Sequence, residues 1–341
     1  MGNFLDSFKV DGVPVGIGDR CFVIAEAGVA HFGSLEKAFK LVDLAVDAQA
    51  DAVKFQIFDA DSMISTESSD WLDRMASRQL PYADFLAIKN YCQSRNIIFL
   101  ATAHDEPSLE YLASLDVSAY KIGSGELRNW GFVRKTAQLG KPLIISTGMF
   151  TEADIAKALD AVEETGNREV AVLHCVTRYP TPPEEVNLRA IQSIRDRFRV
   201  VAGFSDHTAG RHFPLAAVAM GSQVLEKHIT LDFDIPNAQD WKVSCGPEDF
   251  PLLMRELREI ERGFGDGRKV PGAGELASRD WARKSLVARE KIPAGTTLRA
   301  EMLIAKRPGT GIPPSEVDRL VGYKTREAIE GGTLITWEQL L

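Results

Sequence analysis

Short runs of β-branched and apolar residues recur along the chain, at 21–26, 52–56, 97–101, 119–122, 143–146, 170–174, 200–203 and 224–227. Each is followed by a longer stretch in which apolar positions return every three or four residues: 35–48, 82–94, 107–115, 129–139, 151–165, 185–195, 213–220 and 247–263. The first pattern predicts buried strands and the second amphipathic helices. Eight strands in strict alternation with helices predict an α/β fold, a closed (β/α)8 TIM barrel over residues 1–265, in preference to an open doubly wound sheet. Ahead of the first strand, residues 8–19 (FKVDG, then VPVGIG) read as a hairpin placed to cap the barrel floor. After residue 263 the pattern breaks. GDGRKVPGAGELASRD is Gly-rich and polar, which predicts a linker at 266–283. Residues 284–341 then show short strand-like runs separated by turns, a second, small, mostly-β domain.

Composition narrows the function. At 341 residues, with 45% hydrophobic and 26% charged positions, the chain has enough for one barrel-sized core and a remainder, and no low-complexity tract. Forty Lys and Arg against 48 Asp and Glu leave a net charge of −8, so the basic face that a nucleic-acid binder needs is missing and no nucleic-acid partner is expected. No apolar run approaches the roughly 18 residues that span a bilayer, residues 1–20 carry no signal-peptide pattern, and Asp6 stands where a myristoylation motif wants Ser or Thr. No membrane partner is expected either. Cys21, Cys92, Cys175 and Cys245 lie far apart and in no CxxC spacing, as expected of reduced thiols in a cytoplasmic enzyme.

Barrel enzymes carry their chemistry at the C-terminal ends of the strands, and these ends are polar here. In strand order they offer Glu26 and His31; Lys54 and Gln56; Thr102, His104 and Asp105; Lys121, Ser124 and Glu126; Ser146 and Thr147; His174 and Tyr179; Ser205, Asp206 and His207; Glu226 and His228. Five of the six histidines fall at these ends. Adjacent strands would present His207 and His228 at one height, the arrangement that binds a divalent metal in an open, water-rich site suited to Mn²⁺ acting as a Lewis acid. Hydrogen bonding of this pair to substrate without metal is the alternative. Lys54 and Lys121 point into the barrel mouth, where an unpaired ammonium is costly unless it meets an anion. KIGSGE (121–126) and STGM (146–149) add hydroxyls and flexible backbone able to donate to phosphate oxygens, or simply tight βα turns. A phosphate or carboxylate ligand is the natural inference; a Schiff-base lysine is the competing one.

With these residues in place the sequence resembles the sialic acid synthase family, enzymes that condense phosphoenolpyruvate with an N-acylated hexosamine to give nine-carbon 2-keto acids. The resemblance rests on IAEAG at 24–28, DAVKFQ at 51–56, KIGSGE, STGM, LHCVTRYPTP at 173–182, FSDHTAG at 204–210 and EKHITLD at 226–232. KRPGTGIPP at 306–314 is similar to the family's small antifreeze-like (SAF) domain. The resemblance implies that His207 and His228 hold the metal, Mn²⁺ first and Mg²⁺ or Co²⁺ as alternatives. It implies that Lys54, Thr102, Lys121, Ser124, Ser146 and Ser205 hold phosphoenolpyruvate with Tyr179 close by, and that Glu26, Gln56, Glu126 and Asp240 face the sugar or the attacking water. It further implies a domain-swapped homodimer in which Arg307 acts in trans on the neighbour's sugar site. Three acceptor-side stretches depart from the family pattern: VAHFG where VNHNG is common, ATAHD where STPFD is usual, and one extra residue in 235–250. They leave the sugar open between N-acetylmannosamine, its 6-phosphate and a diacetamido-trideoxyhexose. Competing readings are a metal-dependent barrel aldolase, a shorter-chain 3-deoxy-keto-acid synthase and a non-catalytic sugar- or ice-binding protein.

Overall fold

The computed structural model describes residues 4–341. They form two compact units, one ending at Phe264 and the other spanning Gly265–Leu341. In the first, an antiparallel hairpin of β1 (Ser7–Val10) and β2 (Val13–Gly16) precedes eight parallel strands: β3 (Phe22–Gly28), β4 (Ala52–Ile57), β5 (Ile98–Ala103), β6 (Tyr120–Ile122), β7 (Leu143–Ser146), β8 (Val170–Cys175), β9 (Val201–Asp206) and β10 (Val224–His228). They pair in chain order, and β10 closes onto β3. The barrel and its strand count are as the apolar runs predict, with no strand end shifted by more than three residues.

The two-residue period of a strand explains how this sequence makes both a core and a site. Phe22, Ile24, Ala52, Ile98, Leu100, Ala119, Ile144, Ala171, Leu173, Val201 and Val224 form a buried inner cluster. One inward step further up each strand come Glu26, Lys54, Thr102, Lys121, Ser146, Cys175, Ser205 and Glu226, which line a cavity. The barrel interior is therefore dry at its base and polar at its mouth. The intervening residues, such as Val23, Val53, Phe55, Phe99, Ile145, Val172 and Ala202, face outward into a second cluster shared with the helices.

Beneath the inner cluster, Phe8, Val10 and Val15 of the hairpin seal the floor, as the 8–19 pattern predicts. Phe8 is 4% exposed. Replacing it by Ala is expected to cost about 3 kcal/mol in chemical denaturation, with no change in substrate KM because the site lies at the other end of the barrel.

The outer helices are α1 (Leu35–Asp47), α4 (Tyr82–Ser94), α5 (Glu106–Ser114), α6 (Trp130–Ala137), α7 (Glu152–Glu163), α8 (Arg189–Phe198), α9 (His212–Ala219) and α10 (Asp249–Gly263). Side-chain caps set several starts: Ser34 accepts from Lys37 N, Asp105 from Ser108 N, and Thr151 and Asp154 form a capping box. The helix read at 185–195 begins later, at Arg189, because Pro183–Glu185 forms a separate 3₁₀ turn. Between β4 and α4 the structure adds α2 (Ala60–Met63) and α3 (Ser69–Ala76), which the sequence pattern does not announce. Met63, Leu72 and Met75 pack there on Val29, Phe58 and Ala60, a satellite cluster at the barrel mouth.

In the second unit the stretch read as a linker carries two one-turn helices, α11 (Ala273–Leu276) and α12 (Arg279–Ala282). Strands β11 (Ser285–Ala288) and β12 (Leu303–Lys306) pair antiparallel, and the remaining strand-like runs contribute isolated bridges such as Ile292 with Ile329. Leu286, Leu298, Leu303, Ile312, Leu320, Ile329, Ile335 and Leu340 form this unit's own core. Among the described residues no helix is long and apolar enough to cross a membrane.

Candidate active site

At the mouth of the barrel two cavities adjoin. The inner one, of about 160 Å³, is lined by Glu26, Lys54, Gln56, Thr102, Lys121, Ser124, Ser146, Tyr179, Ser205, His207 and His228, together with His104, Cys175, Thr177 and Glu226. The outer one, of about 590 Å³, shares Gln56, His104, Tyr179 and His228 with it and adds Glu126 and Asp240. Every site residue predicted in the barrel thus reaches one of the two. Arg307 belongs to the second unit, where it is exposed and its Nε donates to the Ala282 carbonyl at 2.9 Å.

The inner chamber is a buried charge network. Lys54 Nζ donates to Thr102 Oγ1 at 3.0 Å and stands 2.7 Å from Glu26 Oε2 and 3.6 Å from Glu226 Oε2. The Glu26 contact is close but out of hydrogen-bond alignment, and Oε2 of both carboxylates lacks a hydrogen bond among the described residues. Lys121 Nζ donates to Ser146 Oγ at 2.7 Å and to the Ile122 carbonyl at 3.1 Å, with Glu226 Oε1 at 3.7 Å. Ser205 Oγ donates to that same Oε1 at 2.9 Å.

Burial pulls at every one of these groups. It lowers the Lys121 ammonium below its ordinary value despite Glu226, whereas at Lys54 the pull of Glu226 and Glu26 outweighs burial and raises it. Burial raises Glu26 against the opposing pull of Lys54, with Glu226 adding to the rise. At Glu226, Lys121 and Lys54 overcome burial and hold the carboxyl down at about 2. The network thus splits two carboxylates that are chemically alike, leaving Glu26 as the more basic.

His228 lines both chambers, and His207 stands beside it in the inner one. The His207 and His228 ring centroids are 5.4 Å apart. His207 Nδ1 lies 2.7 Å from the Val176 carbonyl, which fixes it as the donor and leaves Nε2 facing Tyr179 Oη at 2.8 Å. Tyr179 stacks on His207, with ring centroids 4.1 Å apart, and meets His228 edge-on. Burial drives His228 down to about 3, keeping its imidazole neutral. At His207 burial also disfavours charge, but Cys175, with its Sγ 3.6 Å from Nδ1, and the Val176 carbonyl outweigh it. These features fit a divalent ion on two imidazole nitrogens. Among the described residues no group of three His, Cys, Asp or Glu closes around one point, so any ion held here would rest on the two imidazoles and on ligands from outside the chain.

Beyond the pair the glycine-rich turns also take a defined shape. Gly148 N donates to Ser124 Oγ at 2.8 Å, and a Cβ on Gly148 would lie 2.1 Å from Thr177 Oγ1. That close approach of three loops explains the bare glycine in STGM. His104 lines both chambers; burial together with Lys54 and Lys121 lowers it to about 4.

Five of the polar strand-end residues turn away from the cavities, and three of them, Asp105, Thr147 and Asp206, do so because their positions have the opposite parity. Asp105 caps α5, Thr147 Oγ1 donates to the Leu173 carbonyl, and Asp206 pairs with Lys227 outside the barrel wall. Of the five strand-end histidines only three line the chambers. His31 is buried beside Phe55 with Nδ1 accepting from Gly33 N, and His174 Nε2 bonds the Val186 carbonyl and stacks on Phe204.

Sequence reasoning names Glu226 without giving it a role, although its inward parity marks it as a site residue. It passes over Cys175 and the outer wall of Met63, Trp71, Arg74, Met75 and Arg78. Cys175 shares the parity of Ser205, so strand alternation could have found it; the wall belongs to the inserted α2–α3 segment, which has no such periodic signal.

The NeuB family profile matches residues 41–269 and the SAF domain profile residues 283–341. The chain is 37% identical to the N,N'-diacetyllegionaminic acid synthase of Legionella pneumophila, over 97% of this chain and 98% of that protein. It is 34% identical to the N-acetylneuraminate-9-phosphate synthase of Mus musculus, over 91% of this chain and 90% of that protein. The crystal structure of N-acetylneuraminic acid (sialic acid) synthetase from Leptospira borgpetersenii, in complex with citrate, superposes with a TM-score of 0.75 at 31% identity, covering 81% of this chain and 95% of that one. With its closed eight-stranded barrel and its SAF domain, the chain belongs to the NeuB family, the nonulosonic acid synthases.

Proposed function

We propose that the chain condenses phosphoenolpyruvate with an open-chain N-acylated hexosamine, forming a 2-keto nonulosonic acid and phosphate. The observation that carries this reading is the division of the barrel mouth into a small chamber rich in ammonium and hydroxyl donors and a larger one with a mixed polar and apolar wall. Lys54, Lys121, Thr102, Ser124, Ser146 and Ser205 would hold the phosphate and carboxylate of the three-carbon donor, while Gln56, Glu126, Tyr179 and Asp240 face the sugar. A divalent ion held by His207 and His228, Mn²⁺ before Mg²⁺ or Co²⁺, would supply Lewis acidity toward the aldehyde oxygen. It would also bring the positive charge that Lys54 and Lys121, already balanced by Glu26 and Glu226, lack for a trianionic donor.

C3 of the enol then attacks the aldehyde carbon, whose C=O π bond opens to an oxygen that takes a proton and becomes a hydroxyl, and water adds to the cation left at C2. Glu26, held by Gln56 Nε2 at 3.1 Å and raised by burial, takes the proton from that water. The tetrahedral carbon breaks its C–O bond to phosphate, and the C2 ketone forms. Lys121 and Ser146 neutralise the departing oxygens. Lys121→Met is therefore expected to lower kcat/KM for phosphoenolpyruvate by about 10²–10³ while moving the KM for the sugar little, as steady-state titration of each substrate will show.

We propose further that two copies assemble with Arg307 of one completing the outer chamber of the other, since Arg307 is exposed and pairs with no carboxylate among the described residues. Arg307→Ala and His228→Ala chains, each inactive alone, should recover up to about a quarter of wild-type turnover when unfolded together and refolded as mixed dimers. No recovery would exclude action in trans. The four buried free cysteines support a reducing, cytoplasmic location.

Phosphate release from phosphoenolpyruvate, measured with Mn²⁺ against N-acetylmannosamine, its 6-phosphate and a diacetamido-trideoxyhexose, tests the reading directly. Turnover of any of the three supports it, and their kcat/KM values rank them. Turnover with a pentose phosphate alone would replace it with a shorter-chain synthase, and cleavage without phosphoenolpyruvate would replace it with an aldolase.

A further inference from the structure

Directly outside the wall that carries the histidine pair lies a fully buried ion pair. Lys227 Nζ is 2.6 Å from Asp206 Oδ2, and both side chains are 0% exposed. The two residues sit opposite each other as the last paired positions of β9 and β10. Each immediately precedes a histidine, Asp206 before His207 and Lys227 before His228. The pair also grips the residue after His207: Thr208 N donates to Asp206 Oδ1 at 2.9 Å, and Lys227 Nζ donates to the Thr208 carbonyl at 2.7 Å. His207 is thus bracketed on both sides by one charged clasp. On the inner face the preceding pair of the same ladder is tied as well, Ser205 to Glu226.

Burying two charges is costly, and an apolar pair of equal volume would serve packing as well or better. What an apolar pair cannot do is fix the height of two strand ends to a fraction of an ångström through directed bonds. His228 has a second support, since β10 also pairs with β3 at Glu26. His207 stands one residue past the end of β9, outside the ladder, where its carbonyl accepts from Thr181 N at 2.8 Å and the clasp holds the residues on either side. We propose that Asp206 and Lys227 are positioning residues that set the separation and orientation of His207 and His228, and thereby the affinity of the site for its divalent ion. This inference rests on the metal reading given above.

The test is Mn²⁺ binding by the full-length chain, with free Mn²⁺ read by electron paramagnetic resonance in the absence of substrates. Asp206→Asn/Lys227→Met removes both charges without leaving one buried alone, and it is expected to weaken Mn²⁺ binding by about tenfold or more. Asp206→Glu keeps the charges but lengthens the clasp by one methylene; it provides a milder variant should the double one not fold, with a rise in Kd expected in the same direction. Leu109→Ala, a core substitution in α5 beside β5, across the ring of strands from β9 and β10, supplies the control for lost stability and is expected to lower Tm without changing the Mn²⁺ Kd. Clasp variants that bind Mn²⁺ as the wild type does, whatever their Tm, would overturn the proposal while leaving the metal reading intact. A wild-type chain that binds no Mn²⁺ would overturn both.

Discussion

Replacing His228 by Ala is expected to reduce phosphate release by on the order of 10⁴, and His207→Ala to do the same. His228 lines both chambers and His207 the inner one beside it, and neither has a substitute, since no third His, Cys, Asp or Glu joins them among the described residues. His207 already has its Nδ1 committed to the Val176 carbonyl, so its remaining nitrogen is the one that can act. His228 is kept neutral by burial. Loss of either should also abolish the response of activity to added Mn²⁺. The measurement is turnover at saturating substrates before and after exhaustive chelation, with Mn²⁺ restored. Full activity in chelated wild-type enzyme would show that the pair works by hydrogen bonding alone.

Glu26→Gln should lower kcat by about 10²–10⁴, with a signature in the pH profile. Burial places the Glu26 carboxyl above its ordinary value of 4.5, with Lys54 opposing and Glu226 reinforcing the rise. A base works only when deprotonated, so kcat of the wild type falls as pH drops through this raised value. The acid limb should therefore lie higher than an exposed carboxylate would put it, and the Gln variant should lose that limb. Glu226 cannot produce it, because Lys121 and Lys54 keep that carboxyl ionised down to about pH 2. The amide still presents an oxygen to Gln56 Nε2, so the neighbouring side chain keeps its partner. A variant with an unchanged acid limb would assign the base to another group.

Much of this architecture is written locally. Strand-length apolar runs separated by amphipathic stretches need only near neighbours to be read, and for Leu143–Ser146 and Tyr82–Ser94 the pattern reproduces both ends of the element. Lys54, Lys121, His207 and His228 could be singled out because a charged or imidazole residue at the top of an otherwise apolar strand has no packing reason to be there. The inserted helix α3 has an apolar face, with Leu72 and Met75 packed on Val29, Phe58 and Ala60, although none of its residues is fully buried. It walls the outer chamber with Trp71, Arg74 and Met75.

Taken alone, then, the chain determined its barrel, its hairpin floor, its SAF domain and the set of polar residues from which the site is drawn. Tertiary structure decided which of those residues meet. Glu226 lies 172 residues from Lys54 and 105 from Lys121 in the chain, yet stands 3.6 and 3.7 Å from their ammonium groups, because β10 closes the ring against β3. Strand parity then sends Ser205 and His207 inward and Asp206 outward from consecutive positions. Local pattern is set by neighbours a few residues away, whereas the protonation balance of the site and the seating of its histidine pair depend on charges brought together only when the barrel closes.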